Sequence, residues 1–229
     1  MNKEAWVGLD PADLRDLLIK LVGYRFGEHP EERLDEIRAE RLQYAESFLD
    51  LARAGPTDSV LELGSGCGFG TAAIAARCRR VIACDISPAY LDYARQECRA
   101  RDNIEFLMIK RHDLSAVADH SIDTVLSISV FIHLNLYDIY LYFKEFQRVL
   151  RPGGKLALDF ADLNRLFGWF SSHGNNQLFQ QHAGFYRSDP SALPGLVQWN
   201  SARGISRVAA KAGFRRLKRR GHKLLFCRR

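Results

Sequence analysis

The chain has 229 residues and a mass of 26.1 kDa, which suits one ordinary domain with a real core better than two independent ones. Apolar residues make up 47% and charged residues 26%, a globular balance that excludes a disordered or collagen-like chain. The net charge of +6 is local, because Gly213 to Arg229 carries +8 without a single acid and the rest of the chain sums to −2; a nucleic-acid reading has to rest on that tail.

The first periodic segment follows Asp10-Pro11, an N-cap with proline at the first helical position, and places Leu14, Leu17, Leu18 and Leu21 at helical spacing until Gly23. Pro30 opens a second helix that runs through Ile37, Ala45, Phe48 and Leu49 to Gly55-Pro56. Short aliphatic runs then alternate with helical ones: Ser59 to Leu63, Thr71 to Cys78, Val81 to Cys84, Pro88 to Ala100, Ile104 to Ile109, Ile122 to Ile128, about Tyr137 to Leu150, and Lys155 to Phe160. Such alternation predicts βαβ units, hence a doubly wound α/β domain whose mainly parallel sheet is covered on both faces.

After Phe160 the alternation fails for about forty residues rich in large rings: Phe167, Trp169, Phe170, Phe179, Phe185, Tyr186 and Trp199. A helix from Ser201 to Ala212 leads to two strand-like runs, Phe214 to Arg220 and Lys223 to Cys227, joined through Gly221-His222 as a terminal hairpin. The expected division is a helical N-terminal cap over 1–55 and a main domain over 56–229, with 161–200 inserted as a substrate lid.

The cysteines, at 67, 78, 84, 98 and 227, form no C-x-x-C pair and read as reduced, mostly buried thiols. The longest nearly uncharged run, Ile122 to Tyr137, still contains Asp123, Ser127, Ser129, His133 and Asn135, too polar to span a bilayer. The N-terminus, with Lys3, Glu4, Asp10 and Asp13, lacks the apolar block of a signal peptide, so a cytoplasmic protein is expected.

Val60 to Gly68 is a buried strand running into a glycine turn that opens a helix. Bare main chain there lets a ligand approach, and the helix N-terminus offers unpaired N–H groups. The next strand ends in Asp85, 21 residues after Gly64, where a carboxylate can accept both hydroxyls of a ribose. A G-x-G-x-x-G fingerprint fails in both registers, its third glycine falling on Phe69 or Thr71, and no G-K-[ST] follows, which excludes a P-loop.

The pattern present is acid-x-Gly-x-Gly-x-Gly, from Glu62 to Gly68, and here the sequence resembles the class I S-adenosylmethionine-dependent methyltransferases of small-molecule type. The resemblance is close over roughly 56–160 and includes Arg111-His112-Asp113-Leu114, the run Asp123 to Leu134, and Leu150-Arg151-Pro152-Gly153-Gly154-Lys155-Leu156. It implies a Rossmann-like seven-stranded sheet with an antiparallel last strand, and S-adenosyl-L-methionine as cofactor. It further implies that Glu62, Gly64, Ser65, Gly66 and Gly68 hold the methionine part and that Asp85 binds the ribose. Ile86 then lies against the adenine, with Asp113 at its amino group and Leu114 beside the ring, while Ser129 and Val130 form the ligand-facing end of the fourth strand.

Methyl transfer from a sulfonium is an in-line displacement, so the protein chiefly aligns donor and acceptor in a dry pocket. If the acceptor carries a proton, His133 is the best-placed base in the sequence, the alternative being a wall or capping role. Asp159, Asp162 and Asn164 together with Ser129 supply too few carboxylates for a hard cation, and no metal is expected.

The ring-rich lid, with Tyr24, Arg25 and Phe26, points to a small or medium-sized acceptor, apolar or aromatic in part, methylated at oxygen or nitrogen. Its rings also serve as core of an inserted subdomain. No Asn/Asp-Pro-Pro-Tyr and no Pro-Cys follows the fourth strand, which disfavours adenine or glutamine nitrogen and pyrimidine carbon as acceptors. Two alternatives stand beside this reading: an RNA or protein methyltransferase using the basic hairpin, and a non-catalytic S-adenosylmethionine-binding protein. The cations of the hairpin also serve simply to guard a sheet edge, with Leu217, Leu224 and Phe226 turned inward.

Overall fold

The structure is a computed structural model that describes residues 11–22, 26, 27, 29–164 and 198–229, with only the backbone at 11–13 and 20. Tyr24 and Arg25 and the lid rings from Phe167 to Tyr186 lie outside the described residues.

Five strands, β1 (Ser59–Leu63), β2 (Arg80–Asp85), β3 (Ile104–Met108), β4 (Ile122–Ser127) and β5 (Leu150–Asp159), run parallel and are linked by helical crossovers or a loop. Two short strands, β6 (Ala161–Asp162) and β7 (Trp199–Asn200), pair with each other in parallel and so bring the two ends of the expected lid together. The C-terminal hairpin supplies β8 (Phe214–Arg220) and β9 (Lys223–Arg228). The main sheet has the order β3-β2-β1-β4-β5-β9-β8, with β9 antiparallel to both of its neighbours. This is the expected seven-stranded doubly wound sheet with an antiparallel last strand. Its order reverses between β1 and β4, the switch point at which such sheets open a crevice for ligands.

The helices are α1 (Pro11–Val22), α2 (Leu34–Ala52), α3 (Phe69–Arg77), α4 (Pro88–Glu97), α5 (Leu136–Val149) and α6 (Ala202–Lys211). Every residue of β1 is buried, as a central parallel strand requires, and its side chains alternate between two cores. Leu61 and Leu63 face Phe143, Phe146, Ile205 and Ala209 of α5 and α6. Val60 faces Phe48 and Leu49 of α2 and Ile74 of α3. Helix α2 therefore shares a core with the sheet. A third core joins Leu17, Leu18 and Val22 of α1 to Cys67, Phe69 and Tyr93, which seats α1 on the glycine turn.

Three boundaries differ from expectation. Residues Pro30–Arg33 form a 3-10 turn ahead of α2, because neither His29 nor Arg33 offers a side-chain cap. Helix α3 begins at Phe69, before Thr71, with Gly68 as its left-handed N-cap. Strand β5 begins at Leu150, taking Pro152-Gly153-Gly154 into the strand across a shift in its register with β4. Four of the five free thiols are buried, Cys227 being half-buried. No helix among the described residues is long and apolar enough to cross a membrane.

Candidate active site

The glycine turn is fastened to the end of β2. Gly64 N–H and Ser65 N–H both donate to the Cys84 carbonyl, at 2.7 and 3.0 Å. Gly66 N–H donates to Asp85 Oδ2 at 2.9 Å, and Ser87 N–H donates to Oδ1 at the same distance. Burial pushes the Asp85 carboxyl above its ordinary range, opposed by the N–H groups of Ser87, Gly66 and Ile86. Ile86 beside it is 65% exposed.

Bare main chain is a packing requirement here. Gly64 has φ 78°, and a Cβ on it would lie 2.1 Å from Val130 Cγ2; one on Gly66 would lie 2.9 Å from Leu21 Cδ1. Val130 at the end of β4 and Leu21 of α1 thus close on the turn from two sides. Below the turn, Glu62 is 3% exposed and accepts a 2.5 Å hydrogen bond from Thr71 Oγ1. Desolvation raises its pKa to about 7 against the Thr71 hydrogen bond, with the charge of Asp85 adding to the rise.

A second polar cluster borders this cleft and contains residues the sequence reading missed. Ser129, at φ 61°, follows β4, and its N–H donates to Asp159 Oδ1 at 2.7 Å. Tyr44 hydroxyl donates to Asp159 Oδ2 at 2.9 Å and lies 2.7 Å from His222 Nε2. Arg41 donates to Ser129 Oγ at 3.3 Å and to the Leu21 carbonyl at 2.7 Å, so one guanidinium ties α2 to the end of β4 and to α1. Arg41 and Tyr44 are three apart on α2 and share a face. That spacing was the only signal in the sequence, since His222 comes from a hairpin turn 178 residues away.

The structure brings together Glu62, Gly64, Ser65, Gly66, Gly68, Asp85, Ser129 and Val130 at the switch point. Asp113 and Leu114 are held by other partners. Asp113 is exposed and accepts from Ser115 N–H at 2.9 Å, a turn contact that holds its carboxyl below the ordinary range, and it lines an outer hollow with Glu145 and Arg148. Leu114 is wholly buried in the core beneath α5. His133 is exposed on the 3-10 turn Phe131–His133, its N–H donating to the Val130 carbonyl at 2.9 Å. Asp159 and Asp162 serve different partners, the latter an ion pair with Arg219. No group of three potential metal ligands occurs among the described residues.

The residues present fit a sulfur-bearing nucleoside. Ser65 Oγ in the turn is buried without a hydrogen-bond partner among the described residues, Asp85 retains lone pairs beyond its two N–H donors, and Ile86 offers an uncovered apolar face next to it. A doubly wound sheet with such a turn at its switch point defines a nucleoside-binding Rossmann-like domain. The sequence profile of the "Methyltransferase domain" family matches residues 61–158.

Two relatives agree with that match. Demethylmenaquinone methyltransferase of Tropheryma whipplei (strain Twist) is 29% identical over 162 residues, which are 69% of this chain and 66% of that one. Ubiquinone biosynthesis O-methyltransferase of Xanthomonas oryzae pv. oryzae is 30% identical over 137 residues, 59% of this chain and 54% of that one. The matches thus span just under two thirds and about half of these relatives. Among solved structures, geranyl diphosphate C-methyltransferase of Streptomyces coelicolor, crystallised with S-adenosyl-L-homocysteine, superposes with a TM-score of 0.57 at 18% identity, covering 77% of this chain and 60% of that one, a likeness of fold. Over residues 61–158 the chain is thus similar to methyltransferases, and S-adenosyl-L-methionine is the cofactor that this match and the S-adenosyl-L-homocysteine complex support.

Proposed function

We propose that the protein transfers the methyl group of S-adenosyl-L-methionine to oxygen or nitrogen of a small or medium-sized metabolite. The observation that carries the proposal is the Asp85 carboxylate locked beside the glycine turn by Gly66 N–H, with the uncovered Ile86 next to it. The relatives named for quinone substrates support a small acceptor, apolar or aromatic in part, and the one named for O-methyl transfer supports a heteroatom.

When bound, the cofactor supplies a methyl group already activated on a sulfonium. The chain's own residues then have to bind, orient and exclude water. In this reading Asp85 accepts the ribose hydroxyls and Ile86 packs on the adenine, and the Ser65 hydroxyl takes a polar atom of the methionine part. The main chain of Gly64, Gly66 and Gly68 leaves room for that part above Glu62. Ser129 and Val130 close the cleft toward the acceptor, and His133 at the mouth takes the acceptor's proton on a ring nitrogen. Asp113 and Leu114 keep structural roles.

Calorimetry with S-adenosyl-L-homocysteine tests the carrying observation. Loss of two charge-assisted hydrogen bonds predicts that Asp85→Ala weakens binding by at least about 100-fold, with Asp85→Asn intermediate. Unchanged affinity in a folded Asp85→Ala protein would overturn the assignment. With an acceptor in hand, His133→Ala is expected to lower kcat by about 100-fold, the low end of general-base effects, while cofactor affinity stays the same. An unaltered kcat assigns His133 to the wall of the pocket, and a product methylated on carbon removes the heteroatom acceptor.

A further inference from the structure

The cations of the C-terminal segment gather on one edge of the molecule. Residues 201–229 hold eleven Lys and Arg and no acid, so the preceding 200 residues sum to −5. The fold adds what the sequence order hides. Arg203, Arg207 and Lys211 recur every four residues and are all exposed on the outer face of α6, whose inner face, Ala202, Ile205 and Ala209, is buried. Helix α6 packs on β8, where all six residues after Phe214 are exposed, and Arg216 of β8 reaches Ser206 of α6 at 3.0 Å.

Register sorts the β8 cations into two faces, since directly paired residues point to the same side of a sheet. Arg216 pairs with Phe226, which lies in the core under α6, and so shares the face of the α6 stripe. Lys218 pairs with Leu225, which lies in the core under α2. Arg215 pairs with Cys227 and Arg220 with Lys223, and by alternation both share that second face. Among the described residues Arg219 alone of these is neutralised, by the buried Asp162.

Guarding an exposed edge against aggregation accounts for a few charges on β8 but not for the α6 stripe or for the absence of acids. Elsewhere acids are interspersed and many cations are paired with them. Arg33 pairs with Glu36, Arg77 with Glu46 and Asp50, Arg80 with Glu105, Arg95 with Asp92, and Arg148 with Glu145 and Asp119.

We infer that the α6–β8 edge binds the phosphodiester backbone of single-stranded RNA. Of the seven exposed cations of α6 and β8 without an ion pair among the described residues, five are arginines, whose forked donors match phosphate. The β8 ridge is about 20 Å long and the α6 stripe about 12 Å, room for several successive phosphates. Cations on both sides of a narrow ridge suit a flexible strand that bends around it and not a flat bilayer, which one plane would have to meet. Leu217 is the one large apolar residue exposed on β8, too little for interfacial insertion. A duplex, stiff over many turns, cannot follow the ridge either.

The inference is independent of the acceptor proposed above, because calorimetry with the nucleoside reads the cleft and RNA binding reads the edge. The test is fluorescence anisotropy of the full chain with a labelled, unstructured oligouridylate of about 20 nucleotides, titrated at about 50 and 200 mM salt. Contacts to five to seven phosphates predict a log–log salt slope of about −3.5 to −5, a weakening of roughly 100- to 1000-fold across that range. R207Q/K218Q/R220Q is expected to flatten the slope by about 2, one contact per residue removed.

The exposed R99Q/R101Q/K110Q, beside β3 at the opposite edge of the sheet, should leave the slope unaltered; all variants are checked for native melting. No binding at low salt, equal loss in the two triple variants, or tighter binding of polyglutamate, anionic vesicles or duplex RNA than of the single strand would each overturn the inference.

Discussion

Glu62 shows how one residue couples fold and pH. Its carboxyl has to be buried because β1 is the central strand, and burial with Asp85 nearby lifts its pKa from 4.5 to about 7, against the pull of Thr71. A carboxyl with a raised folded-state pKa binds more protons folded than unfolded, so its contribution to stability is lost as pH rises from about 4.5 to about 7 and is flat beyond that. Glu62→Gln, which keeps an acceptor for Thr71, is expected to abolish this fall. Urea midpoints at acid and alkaline pH read it: the wild type should lose more stability between the two than the variant. Equal losses would show that Glu62 does not carry the dependence. Asp159, raised by burial, acts in both proteins and cancels in the comparison, whereas the part of the Asp85 dependence that comes from its coupling to Glu62 is removed with Glu62. The sequence marked Glu62 and Asp85 by their places around the turn; it could not mark Asp113 as a turn residue, because a loop Asp before an apolar residue looks the same whether it meets a ligand or caps its own backbone.

Helix α5 carries the main core and begins at a single side chain. Asn135 Oδ1 accepts from Tyr137 N–H at 2.9 Å and from Asp138 N–H at 3.0 Å, satisfying two of the otherwise unpartnered first-turn donors. The buried face that follows, Ile139, Tyr142, Phe143, Phe146 and Val149, is a helical stripe facing β4 and β5. Asn135→Ala is expected to cost about 1 kcal/mol, a drop of about 2–4 °C in Tm for a chain of this size. Scanning calorimetry with unchanged far-ultraviolet dichroism checks it, and a much larger drop would mean that Asn135 also holds the loop to which Gln198 and Asn200 bond through the carbonyls of Ile132 and Leu134. Element types and order were readable here because periods of 3.6 and 2 are local properties of the chain. Ends were less readable: the 3-10 turn before α2 and the early start of β5 depend on missing caps and on pairing with β4.

At the scale of the whole molecule, sheet order decides where chemistry can occur. Reversal between β1 and β4 places the glycine turn, the end of β2 and the end of β4 around one crevice, and α1 lies across its rim through Leu21 and the Arg41 bond. The same order puts the acid-free C-terminal segment on the far edge, at β8, and the packing of α6 against it gathers the exposed cations of both elements along that edge. By itself the sequence determined the alternation of strands and helices, the glycine turn with its following acid, and the methyltransferase resemblance these carry, since each is written in contiguous residues. Only the tertiary structure decided that Asp113 accepts from its own turn and Leu114 is buried under α5, that Tyr44, Asp159 and His222 meet, and that α6 and β8 share a charged edge. Those contacts join residues distant in the chain, and their side-chain directions are fixed by packing and register, which no local pattern encodes.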